Sequence, residues 1–246
     1  MPAAASVQGG EQRGTRRVRG RVICWAIAVA HVVEALYNKY NPENPVMLSP
    51  QELINNALEE KQNRNPKSGQ TKAPEKNPTR LKPVFDYIKF NGLSKEEDCP
   101  FHPKEVDKRN CKKSDNPVYI AEHFEVADDV DETQLLARVA EHPVVGSIVS
   151  HPNFDELKKG EYYEGVPIDL KPEDAEFLHC ILIVGYGTDY GPDGEAIHYW
   201  LVRNSDGETW ADKGYGKIKR KISMEGKKSV FLRYSYPIMP WDVENK

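Results

Sequence analysis

A chain of 246 residues with 39% apolar and 29% charged positions can bury a real core but has little apolar surplus, which fits one large domain or two small ones. Lys and Arg number 34 against 38 Asp and Glu, a formal net charge of −4 that argues against a wholly basic surface, so nucleic acid is not an expected partner. The longest apolar run, Val22 to Ala30, stops at His31 far short of the ~20 residues that cross a bilayer, and no membrane span is expected.

In chain order, residues 1 to 20 form a small-residue, basic arm that continues into Arg21 and lacks the layout of a secretory leader. The expectation is a solvated segment on a chain that either stays inside the cell or is given without its leader. Cys24 to Tyr40 contains neither Gly nor Pro and is interrupted by polar residues only at His31 and Glu34 before Tyr37, which predicts a helix buried on most sides. Ser49-Pro50-Gln51-Glu52 supplies an N-cap, a first-turn proline and an acidic third position, a capping box that opens a short helix through about Leu58. From Glu59 to Lys82 the composition turns polar and predicts a long loop. Pro83 to Asn91 suits another helix, closed by Gly92.

Beyond Asn116 the texture changes. Val118–Ala121, Val144–Val149, Ile181–Val184, Tyr199–Val202 and Val230–Tyr234 are short β-branched or aromatic runs between turn residues, with one helix expected over Asp131–Ala140. A helical part, 1–115, followed by a strand-rich part, 116–246, predicts an α+β protein of two lobes sharing a cleft.

Four cysteines without a C-x-x-C pair argue against a disulfide scaffold, zinc or redox chemistry, and no metal or cofactor is expected. The spacing of Cys99 and Cys111 allows a bridge and leaves it open. Cys24 opens the buried helix, where backbone N–H groups and the helix dipole stabilise a thiolate. A nucleophilic thiol also needs an imidazole, and the imidazole an acceptor that orients it. His179 enters a strongly apolar strand, a poor place for an unpaired ring, and Asn204 stands at the exit of a second strand.

Taken in order, Cys24-Trp25-Ala26, Leu48-Ser49-Pro50-Gln51-Glu52-Leu53, Pro143-Val144-Val145, Tyr163 with Gly165, His179 before Ile183-Val184-Gly185-Tyr186-Gly187, and Tyr199 through Arg220 resemble the papain-like cysteine protease family over roughly residues 15 to 235. The resemblance implies a papain-like fold with a helical left lobe and a β-barrel right lobe. It also implies a Cys24, His179, Asn204 triad, a peptide or protein substrate and a monomer, with Gly146, Ser147 and Leu178 as substrate-pocket residues. Family members are typically lysosomal, vacuolar or extracellular.

Several positions depart from the family pattern. The glutamine that helps the Cys24 N–H hold the oxyanion is missing from Val18-Arg19-Gly20-Arg21-Val22-Ile23, with Arg19 the nearest replacement. Asp206 stands where the family's tryptophan shields the histidine–asparagine bond, which predicts a more exposed triad. Asn55 or Asn56 takes the place of a cysteine that would pair with Cys111. These departures support an alternative expectation, a non-catalytic relative that binds peptides or a protein partner.

Overall fold

The computed structural model describes residues 23–57, 81–102, 111–127, 130–149, 151–165, 178–220 and 229–244. The basic arm, including Arg19, and most of the polar stretch 59–82 lie outside them. The chain divides into two compact units, one drawn from Thr15–Phe124 with Pro237–Lys246, the other containing Glu125–Tyr236. Helices and a seven-stranded sheet make it an α+β protein, as expected.

In the helical unit, α1 (Cys24–Tyr40) is buried along most of its length, as an apolar run without helix breakers requires. Its one deeply placed carboxylate, Glu34, accepts a hydrogen bond from the Leu48 N–H at 2.8 Å, so the acid ties the helix to the chain entering the next one. Helix α2 (Pro50–Asn56) begins on Ser49, whose Oγ accepts from the Glu52 N–H at 3.1 Å. The expected capping box is only half formed. The Ser49 N–H donates to the Ser94 carbonyl, and the Glu52 carboxylate accepts instead from the Tyr87 hydroxyl at 2.9 Å and the Ser94 N–H at 2.6 Å. A tertiary demand takes the carboxylate from its local one. Helix α2 also stops at Asn56, short of Leu58.

Helix α3 (Lys82–Asn91) ends on Gly92 at φ +76°, where a Cβ would also lie 2.7 Å from Pro117. Cys99 and Cys111 form a disulfide, which settles the pairing that spacing left open. Asn55 Nδ2 donates to Cys111 Sγ at 3.2 Å, so Asn55 rather than Asn56 stands at the position of the lost cysteine. Val118–Ala121 is not a strand: it makes a single antiparallel bridge, Leu93 to Val118, and the strand β1 (Glu122–Ala127) follows it. This bridge draws residues after 115 into the helical unit, whose boundary falls at Phe124.

The second unit is built on a sheet. Asp131 caps α4 (Glu132–Glu141), accepting from the Thr133 and Gln134 N–H groups at 2.7 and 3.2 Å. Strand β2 (Val144–Val149), a short helix α5 (Pro152–Asp155), β3 (Tyr162–Tyr163), β4 (Leu178–Tyr190), β5 (Ala196–Arg203), β6 (Tyr215–Lys219) and β7 (Arg233–Ile238) follow, with the terminal helix α6 (Pro240–Glu244) returning to the helical unit. The sheet order is β1-β7-β2-β4-β5-β6-β3, antiparallel at β2–β4, β4–β5 and β5–β6 and parallel at β3–β6. The expected strand at Val230–Tyr234 begins only at Arg233, because Phe231 turns into the core beside Trp200, ring centroids 6.3 Å apart.

Strand β6 packs against a fixed indole. A Cβ on Gly216 would lie 2.3 Å from Trp210 Cη2 and 2.7 Å from Cζ3, and the Trp210 Nε1–H is held by the Phe154 carbonyl at 2.9 Å, so the ring cannot retreat without breaking that bond. We expect Gly216→Ala to cost about 1–3 kcal/mol of stability by overpacking. Gly185→Ala, where the nearest atom is 4.0 Å away, should stay within about 0.5 kcal/mol. Urea unfolding of the two variants compares them directly.

Candidate active site

The nucleophile candidate lies in the helical unit. Cys24 is the first residue of α1, 4% exposed and not in a disulfide, preceded by Ile23 as an N-cap without a side-chain bond. At the first position of the helix it stands at the positive end of the dipole, an electrostatic setting that favours a thiolate. Ile23, with Ile27 and Phe101, belongs to an apolar cluster.

The histidine and asparagine lie in the sheet unit. His179, the second residue of β4, stands opposite Ile148 of β2. Asn204 follows the last residue of β5, Arg203, which pairs with Leu182, so the β4–β5 register delivers the amide to the level of the imidazole two residues away on the neighbouring strand. His179 Nε2 and Asn204 Oδ1 are 2.7 Å apart. Because the oxygen can only accept, Nε2 carries the proton and Nδ1 is the nitrogen left for proton exchange.

The asparagine is held on every side. Its N–H donates to the Gly214 carbonyl at 2.9 Å, its Oδ1 also accepts from the Ser205 N–H at 2.8 Å, and its Nδ2 donates to Asp206 Oδ2 at 2.9 Å. Asn204 and Ser205 are buried, at 6% and 8% exposure, while His179 is half-buried. The loop turns tightly at Gly207, φ +80°, and carries Ala211 and Lys213 at positive φ, a concentration of uncommon backbone beside the site.

One residue that motif matching passes over is Phe154 of α5. It is fully buried, and its ring lies 5.6 Å from His179, 4.9 Å from Trp210 and 5.1 Å from Tyr163, centroid to centroid. The sequence signal was a lone aromatic within a polar run, His151 to Glu156. Trp210 packs on Phe154, and its Nε1–H is held by the Phe154 carbonyl at 2.9 Å.

The three expected pocket residues separate. Ser147 pairs with Cys180, its Oγ 3.7 Å from the Cys180 sulfur, and half-buried Leu178 pairs with Val149, so both lie on the face opposite His179. Gly146 lies on the His179 face, where a Cβ would meet Phe231 at 2.8 Å and Ile183 at 2.9 Å. Its missing side chain makes room for core packing. Among the described residues no cluster of potential ligands could hold a metal, and no helix is long and apolar enough to cross a membrane.

Residues 22–234 match the papain family cysteine protease model, and the chain belongs to that family. It is 30% identical over 217 residues to the probable cysteine protease RDL5 of Arabidopsis thaliana, covering 87% of this chain and 52% of that protein. It is 32% identical over 218 residues to vignain of Vigna mungo, covering 87% and 53%. The chain therefore spans about half the length of the curated relatives it matches. Among solved structures it is similar to the bromelain protease of Ananas comosus in complex with the E64 inhibitor, with a TM-score of 0.67, 21% identity, and 94% and 95% of the two chains covered. It is also similar to the proform of the ragweed pollen cysteine protease Amb a 11, with a TM-score of 0.63, 28% identity, and 92% and 62% covered.

The aromatic group around Phe154 yields a prediction of its own. Burial, with Asp155 adding to it, pushes the Tyr163 phenol up to about 12, and its hydroxyl finds no hydrogen-bond partner among the described residues. The unfolded chain releases this proton above about pH 10 while the folded chain holds it, so stability falls as pH rises from about 10 to 12, by on the order of 2–3 kcal/mol. Tyr163→Phe should leave stability near pH 8 unchanged or higher and should flatten this alkaline loss. Urea midpoints at pH 8, 9.5 and 11 for both proteins measure it.

Proposed function

We propose that the chain is a cysteine peptidase that cleaves peptide bonds through Cys24, His179 and Asn204. The observation that supports it best is the 2.7 Å bond between His179 and a buried Asn204, in a papain-family chain whose matching cysteine opens a buried helix. An imidazole whose Nε2–H is held by a buried amide is prepared to work through Nδ1.

In this reading the Cys24 thiol gives its proton to His179 Nδ1, and the thiolate sulfur attacks the peptide carbonyl carbon. The resulting oxyanion is held by the Cys24 backbone N–H, the donor that the family pattern retains here. Collapse breaks the C–N bond, the imidazolium passes its proton to the departing amine, and a thioester joins Cys24 to the acyl fragment. Water, deprotonated by the same imidazole, then releases the acid and restores the thiol. Losing one oxyanion donor costs about 10²–10³ in turnover, so the missing glutamine makes this a slow peptidase unless Arg19 takes its place. Gly146, Ser147 and Leu178 are the substrate-pocket residues that the family pattern carries to this chain, and the substrate of this reading is a peptide or protein.

The mechanism requires the thiol and the imidazole to meet, and labelling tests that requirement. A peptidyl epoxide should alkylate Cys24 rapidly, not at all in Cys24→Ser, and at least ~10²-fold more slowly in His179→Ala. Mass spectrometry of the intact chain follows the reaction. Labelling no faster than that of a free thiol would overturn the peptidase reading and favour a peptide-binding relative, the reading that the absent glutamine supports.

A further inference from the structure

The catalytic pattern leaves Asp206 without a role, since a tryptophan occupies that position in the family. We propose that Asp206 is a positioning residue that fixes the protonation pattern of His179 by acting through Asn204; this rests on the peptidase reading above. A carboxamide is nearly symmetric in shape but not in hydrogen bonding, so a buried asparagine can face its neighbour with either end. With Oδ1 toward the ring, the imidazole must carry its proton on Nε2 and offers a lone pair at Nδ1. With Nδ2 toward the ring, Nε2 must accept, the proton moves to Nδ1, and the nitrogen needed to receive the thiol proton is blocked.

Asp206 selects between these two states. An ionised carboxylate has only acceptors, and its Oδ2 lies 2.9 Å from the far end of the Asn204 amide, so that end must be the NH₂ group. The near end is then the oxygen, 2.7 Å from His179 Nε2, and the Ser205 N–H at 2.8 Å pulls the same way. The amide is specified from both ends, and the bond to Asp206 is charge-assisted, the stronger kind. An indole at 206 could cover the amide but could not accept from it. The positive φ of Gly207 turns the chain immediately after Asp206, and half-buried Asp206 borders an amide already enclosed at 6% exposure.

The full chain, ¹⁵N-labelled at histidine, reports the tautomer directly through long-range ¹H–¹⁵N spectra taken where the ring is neutral. We expect His179 of the wild type in the Nε2–H form. Asp206→Ala should populate the Nδ1–H form and lower kcat about tenfold while KM stays within about twofold, the size of one charge-assisted bond. Asp206→Asn, whose Oδ1 can accept the same bond, should recover kcat to within about threefold. The thermal midpoints of all three should agree. An Nδ1–H wild type would overturn the proposal, and so would an Asp206→Ala variant with unchanged tautomer and kcat. Equal losses in both variants with a lowered midpoint would make Asp206 merely structural. A wild type with the expected tautomer but no peptidase activity would refute the peptidase reading alone.

Discussion

A buried asparagine must have both ends of its amide satisfied, and the sheet unit is arranged around meeting that demand at Asn204. The β4–β5 pairing, with its register shift between Ile183 and Gly185, brings the amide beside His179. The loop that follows supplies the remaining partners of the amide, Ser205 and Asp206, and its Gly214 carbonyl takes the Asn204 backbone N–H. A loop that must bring two partners to the Asn204 side chain and one to its backbone N–H within ten residues needs uncommon backbone, and positive φ at Gly207, Ala211, Lys213 and Gly214 is how it turns. Removal of any one partner leaves a desolvated polar atom, so these bonds act as a set.

The imidazole has a second constraint, and it is apolar. Phe154 sits among His179, Trp210 and Tyr163, and the Trp210 Nε1–H is anchored on the Phe154 carbonyl. Gly216 lets the indole lie flat on β6. The chain from glycine to indole to phenyl to imidazole places a sheet position that no motif names in control of the ring's packing. In the helical unit the same division of labour holds with carboxylates. Glu34 ties α1 to the chain entering α2, and Glu52 gives up its local capping partner to join α2 to Tyr87 and Ser94.

The parts of the fold legible in the sequence were those where burial dominates. Helix α1 and strands β2, β4 and β5 are enclosed by the core, so their apolar runs carry the signal alone. Where tertiary partners compete with local rules the sequence misled. Val118–Ala121 has strand composition but finds only one bridging partner, and Phe231 has strand propensity but is used to fill the core. Glu52 occupies the capping-box position and is claimed by Tyr87 and Ser94. Strand β6 was invisible because Tyr215-Gly216-Lys217-Ile218-Lys219 is short and mostly polar, its stability coming from β5 and β3 on either side. At the site, the histidine and asparagine were legible as a pair. Phe154 was not, because its role depends on a packing direction that no linear pattern encodes.

Asp206 shows how a departure from a family pattern should be weighed. Read alone, the loss of the shielding tryptophan suggests a wet, weakened histidine–asparagine bond. Yet a tryptophan at that position serves two physical ends, exclusion of water and restriction of the amide, and each can be met separately. Here the folded loop keeps Asn204 and Ser205 buried, and an aromatic contact on the ring comes from Phe154 on a different element. Restriction of the amide is met by an acceptor-only carboxylate, which discriminates between the two ends of the amide more strictly than any apolar surface can. A missing residue is evidence of lost chemistry only when the interaction it served is also missing.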